Sequence, residues 1–182
     1  MSMRKFLVVA PVSAVALVLT LAAPASAQQS LNLGKPISQE DLASWDISIG
    51  PDGAGLPAGS GTVKQGEATF AAKCQPCHNE KGAGNPNDRL VGGEGTLAGD
   101  KPPIKTVGSY WPYATTLFDY IRRAMPLNES KSLTNDEVYG VVAYLLNLNG
   151  VIPETETMNA QTLPKVRMPN RDGFIVRFPD AM

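Results

Sequence analysis

The chain has 182 residues, and its 16 Lys and Arg set against 17 Asp and Glu give a formal charge of −1. That balance lacks the strongly basic surface that general nucleic-acid binding needs, and the length sets an expectation of one domain. Two Cys and one His, all within five residues, supply too few well-separated donors to surround a zinc ion.

Arg4 and Lys5 precede an apolar run from Phe6 to Ala23, and Ala25-Ser26-Ala27 follows as a small-residue cleavage site. This is the pattern of a secretory signal peptide over residues 1–27, cut before Gln28. The apolar run approaches spanning length, so a retained anchor is the rival reading; Pro24 and the Ala-x-Ala site favour cleavage. Losing Arg4 and Lys5 takes the charge from −1 to −3. No second stretch is long enough to span a membrane, and the expected mature protein is soluble, periplasmic and off the membrane.

Residues 28–61 form a Gly/Pro-rich extension. Ser38-Gln39-Glu40-Asp41 suits the start of one short helical turn carrying Leu42 and Trp45. Gly50 to Gly61 is too rich in Gly and Pro for a regular element. Two readings stay open: an arm that docks on a partner, or a strap over the chain's own domain with Trp45 filling a groove.

A compact domain is expected over residues 62–150. Thr62 is a plausible N-cap, and Val63, Gly66, Phe70 and Cys74 recur at helical spacing. An interior Gly costs roughly 1 kcal/mol against Ala, so Gly66 implies close approach of another helix. Lys81 to Asp100, with seven Gly or Pro among them, reads as a long loop that something else must organise. Ala114 to Ala124 reads as a second helix, with Leu117, Tyr120, Ile121 and Ala124 inward and Arg122 and Arg123 outward. Pro126 stops it and biases Met125 towards extended backbone. Thr134-Asn135-Asp136-Glu137 is a capping box that opens a third helix, ending near Asn149-Gly150. From Val151 to Met182 the tail has no periodicity, and neither a strand pair nor a repeat is expected anywhere.

Within this frame sits Cys74-Gln75-Pro76-Cys77-His78. A C-x-x-C-H run is the attachment sequence of haem c. Two thiols on one helical turn can form thioethers to the vinyl groups, and the following His takes the proximal axial position on iron. A redox dithiol of the thioredoxin kind is the main rival, and it calls for a βαβ context that the pattern does not offer. One covalent haem c is therefore expected, and export agrees with it, since this cofactor is attached outside the cytoplasm.

His78 is the only His and both thiols are used, which leaves Met for the sixth position; Met/His ligation raises the reduction potential, as electron carriers require. Met1 and Met3 leave with the signal, Met182 is terminal and Met158 sits in a polar stretch. Met125, just after a helix, is the preferred distal ligand, with Met168 as the alternative. For each, plain space-filling is the bland reading. A domain of this size is marginal on its own core, so the haem-free protein is expected to lack stable tertiary structure.

Residues 62–150 resemble a class I cytochrome c, an all-α fold around one haem. In that family a Gly and an aromatic stand eight and four residues before the first haem Cys, as Gly66 and Phe70 do here. Val141 and Tyr144 fit the aliphatic and aromatic positions of the C-terminal helix that crosses there. Where the family often has a Gly-Pro pair whose carbonyl holds the proximal ring, this chain reads Asp88-Arg89-Leu90-Val91-Gly92-Gly93. A narrower resemblance, to the SoxD-type cytochrome subunit of sulfane dehydrogenase, covers nearly the whole mature chain. It is carried by Leu33-Gly34-Lys35-Pro36, Trp45-Asp46-Ile47, Pro51 to Gly61, Asp88 to Gly93, Thr106 to Pro126 and Met168 to Phe174.

That resemblance implies an electron-transfer subunit partnered with a molybdenum-cofactor dehydrogenase for sulfane or sulfite, handing electrons to an acceptor cytochrome c. Longer members carry a second haem; this chain has one attachment site. Within the same reading Trp111 and Tyr110, and Arg122 or Arg123, are candidates for contact with a haem propionate. Catalytic residues are not expected. The alternatives are a free-standing diffusible carrier and a haem enzyme acting directly on a sulfur compound.

Overall fold

Thr62 caps the first long helix through a complete capping box. Its Oγ1 accepts from the Gln65 N–H at 3.2 Å, and Gln65 Oε1 accepts from the Thr62 N–H at 2.9 Å. The computed structural model describes residues 34–100 and 102–175. The signal peptide expected over 1–27, together with Met1, Met3 and Met182, lies outside them. The helices are α1 (Gln39–Trp45), α2 (Val63–Lys73), α3 (Gln75–His78), α4 (Ala114–Ala124) and α5 (Asn135–Leu148). Two short strands, β1 (Ser60–Thr62) and β2 (Thr157–Asn159), pair antiparallel, with Gly61 opposite Met158. From Gln39 onward the chain is one compact unit. The all-α expectation holds, apart from this one strand pair.

Helix α5 is the centre of the core. Val138 to Leu146 are all buried, because α2 and α4 cover it and β1 and β2 lie against it. Its own start repeats the capping device of α2: Thr134 Oγ1 accepts from the Glu137 N–H at 3.3 Å, and Glu137 Oε2 accepts from the Thr134 N–H at 2.8 Å. Helix α2 crosses α5 at Gly66, where an added Cβ would run into the carbonyl of Gly140 and come within 2.9 Å of the Tyr144 Cβ. Glycine on both sides lets the two backbones meet directly. One turn on, the Phe70 and Tyr144 rings pack with centroids 5.4 Å apart. Helix α4 buries Ala114, Thr115, Leu117, Phe118 and Ile121, and Phe118 stacks on Tyr139 at 4.4 Å. Tyr120, expected inward, is 46% exposed, and Ala124 is half-buried.

The strand pair corrects the expectation that the chain holds none. Three residues per strand is too short for an alternating pattern to be read, since that signal needs about four to eight residues. The tail after Val151 is irregular, as expected, yet Met158, Leu163 and Met168 are among the most deeply buried side chains. On the N-terminal side, Gly50 to Gly61 is laid along the domain as a strap. Thr115 Oγ1–H donates to the Pro51 carbonyl, Tyr139 O–H to that of Pro57, and Asn135 Nδ2–H to that of Ala58. The strap reading is thus correct for this stretch, but Trp45, 77% exposed, fills no groove.

Candidate functional site

Helix α2 ends as the Cys74 N–H donates to the Phe70 carbonyl at 2.9 Å, and the chain then makes one further turn. The N–H groups of Cys77 and His78 both donate to the Cys74 carbonyl, at 3.1 and 3.0 Å. Pro76 sits in the first turn of α3, where its missing N–H leaves no bond unmade. The turn puts the free thiols of Cys74 and Cys77 and the His78 ring on the wall of one cavity of about 490 Å³. Small-molecule and cofactor sites are usually roughly 300–1,000 Å³.

Beyond the pentad the loop folds back on it. The Gly84 N–H donates to the His78 carbonyl at 2.8 Å and the Asn87 N–H to that of Cys77 at 2.9 Å. This delivers the Asp88 carbonyl to His78 Nδ1 at 2.8 Å. A carbonyl can only accept, so Nδ1 carries the proton and Nε2 keeps its lone pair. That is the tautomer in which a metal-ligating His is commonly held. The sequence left this acceptor open; the structure supplies it from the first residue of the Asp88–Gly93 loop.

The remaining walls are mostly apolar: Phe70 from α2, Leu117 and Ile121 from α4, Val141 and Leu145 from α5, and Trp111 ahead of α4. Met125 lines the same cavity just past α4. Its backbone is extended (φ −118°, ψ 145°), as the following Pro126 demands. Of the candidates, Cys74, Cys77, His78, Met125 and Trp111 therefore meet on one cavity. Tyr110, Met168, Arg122 and Arg123 are not on its wall. Tyr110 packs edge-on against Phe174 at 5.3 Å, Met168 is 1% exposed in the core, and Arg123 pairs with Asp119 at 2.9 Å. Arg89 and Lys105 do line the cavity, unforeseen, because nothing in the local pattern distinguishes them from solvated loop cations.

The residues present suit a haem. A mostly apolar cavity is lined by two thiols on one turn, a His whose Nε2 keeps its lone pair and a thioether sulfur. They do not suit a redox dithiol. Burial pushes the Cys74 thiol up to about 11, against the smaller lowering effect of Lys73, whereas reactive cysteines of that class are shifted down. The only sheet among the described residues is the β1–β2 pair, so the described chain has no βαβ unit. Among the described residues no helix is long and apolar enough to cross a membrane.

Comparison with known proteins points the same way. The family described as cytochrome C oxidase, cbb3-type, subunit III, matches residues 61–145. A thiosulfate dehydrogenase of Psychrobacter arcticus is 29% identical over 118 residues, which is 62% of this chain and 36% of that protein. The chain thus spans little more than a third of that curated relative. A chain in the crystal structure of the sulfane dehydrogenase SoxCD from Paracoccus pantotrophus superposes with a TM-score of 0.78. It is 38% identical, over 83% of this chain and 74% of that one.

Proposed function

Since the chain belongs to the family of cytochrome c proteins that includes the matched SoxCD chain, we propose that it is a periplasmic electron-transfer subunit carrying one covalent haem c. It takes single electrons from a molybdenum-dependent sulfur-compound dehydrogenase, for sulfane or sulfite, and passes them to another cytochrome. The observation that carries this reading is the convergence of Cys74, Cys77, His78 and Met125 on one apolar cavity.

Bound there, the haem iron supplies reversible one-electron chemistry. The chain's own residues hold and tune it. Cys74 and Cys77 would hold the haem covalently, His78 would offer Nε2 because the Asp88 carbonyl holds its Nδ1–H, and Met125 would offer its sulfur from the wall of the same cavity. Phe70, Leu117, Ile121, Val141 and Leu145 would shield the group from water, and such shielding together with the iron ligands would tune its potential. Arg89 and Lys105 would be available to the propionates as cationic partners, alongside Trp111. The one imidazole among the described residues is engaged through Nδ1 by the Asp88 carbonyl.

Expression of the full 182-residue sequence, followed by purification from the periplasm, tests the proposal. The expected product begins at Gln28, carries one covalently bound haem and brings a molybdenum protein with it. A protein isolated alone, still accepting electrons from a small donor, would favour the free-standing carrier. An oxidised spectrum without a Met–iron charge-transfer band, together with direct turnover of a sulfur compound, would favour the haem enzyme.

A further inference from the structure

Asn149 stands at the C-terminus of α5, where an Asn-Gly pair ordinarily does no more than end the helix. Its side chain does more. One Nδ2–H donates to the Leu145 carbonyl at 2.8 Å, closing the helix. The other crosses to the carbonyl of Leu90 at 3.2 Å, while Oδ1 accepts from the Gly92 N–H at 3.1 Å. The amide therefore grips both ends of the Leu90–Gly92 segment. Space for it is kept by Gly108, where an added Cβ would stand 2.5 Å from Asn149 Oδ1 and 2.7 Å from its Cγ.

Leu90 is the downstream anchor of Asp88. Upstream, Asn87 is tied to Cys77 by its N–H at 2.9 Å. Downstream, the Leu90 N–H donates to the Gly82 carbonyl at 2.9 Å, and the Leu90 carbonyl accepts from Val107 N–H at 3.2 Å besides Asn149. The carbonyl that holds His78 Nδ1 is thus slung between two fixed points, one of them set by α5. We infer that Asn149 is a positioning residue for the proximal ligand: its amide fixes the Leu90–Gly92 segment and so keeps the Asp88 carbonyl on the His78 ring. This rests on the haem reading above.

A firm Nδ1–H···O bond makes an imidazole a better electron donor to its metal. Loosening it should therefore disfavour the oxidised state and raise the potential. The test uses the haem-loaded full chain with Asn149→Leu, which keeps the branched shape and removes every side-chain hydrogen bond, and independently Gly108→Ala, which pushes the amide out of place. Two quantities are read: exchange of the His78 Nδ1–H proton by NMR, and the midpoint potential. Losing a hydrogen bond of ordinary strength predicts exchange about tenfold faster, together with an upward shift in potential, in both variants. Should Asn149→Leu fail to fold, Gly108→Ala decides. Loaded variants whose exchange and potential match the parent would overturn the inference alone. A parent that attaches no haem would remove the reading beneath it as well.

Discussion

Gly66 and Gly140 face each other across the crossing of α2 and α5; Gly66 has no room for a methyl group on the observed backbones, and at Gly140 one would be tight. A Cβ on Gly66 meets the Gly140 carbonyl, and one on Gly140 stands 3.0 Å from the Gly66 nitrogen. Gly66→Ala must therefore part the helices that carry Phe70 and Tyr144. The expected loss is roughly 3 kcal/mol, the upper end for overpacking a core, read as a lower denaturant midpoint of the loaded protein. A loss below about 1 kcal/mol would show that the crossing can open cheaply.

The two Met-Pro dipeptides separate by location. Met125 lines the cavity, whereas Met168 is buried away from it. Met125→Ala should abolish the Met–iron charge-transfer band and lower the potential. Met168→Ala should leave the band in place and cost about 2–5 kcal/mol of stability, as core Met truncations do. The opposite pattern would exchange their roles.

The helices were largely legible in the sequence, and what was missed has physical reasons. Thr62 and Thr134 announce their helices because a capping box is local chemistry, and the bounds of α2, α4 and α5 follow within a residue or two. Gly66 signalled a crossing, but its counterpart Gly140 did not stand out within a run of apolar residues. Met158 read as polar-flanked, because in a three-residue strand only the middle side chain turns inward. The Asp88 acceptor and the Asn149 clamp depend on where a glycine-rich loop lands, which no periodicity encodes.

If the proposed haem is held by Cys74 and Cys77, removing both thiols should leave the cavity empty. A Cys74→Ala/Cys77→Ala protein, grown without haem attachment, should show helical signal without a cooperative thermal transition. The apolar walls from α2, α4 and α5 would then face a void of about 490 Å³ instead of a cofactor, in a domain whose margin is only about 5–15 kcal/mol. A sharp transition in that variant would mean the core is sufficient without haem.

Deleting residues 151–182 removes Met158, Leu163 and Met168, all buried in the core. The truncated chain should unfold or lose several kcal/mol, and Met158→Ala alone should cost about 2–5 kcal/mol. A truncation that melts like the full chain would refute this.

Glu137 carries a testable dependence on pH. Its hydrogen bond to Lys73, first, and the Thr134 N–H hold its carboxyl below the usual 4.5. A depressed carboxyl stabilises the fold above its unfolded pKa, and that contribution fades as pH falls through the lowered folded value. Glu137→Gln keeps the capping amide bond geometry but not the charge. Both partners are about a third exposed, so the loss at neutral pH should be only about 0.5 kcal/mol. The two stability curves should converge at acid pH below the carboxylate range; curves that stay parallel would sink the assignment.

The pairing of Gly61 with Met158 has a bearing on the order of events in a chain's life. A polypeptide delivered from its N-terminus presents Cys74, Cys77 and His78 about eighty residues before β2 exists to close against β1. At that stage α2 has no α5 to rest on, and the thiol that burial later pushes up to about 11 is still open to solvent. Chemistry at the pentad and closure of the domain are thus separated in time by the length of the chain between them. Among the described residues, the last strand can pair with β1 only once the pentad has already been made.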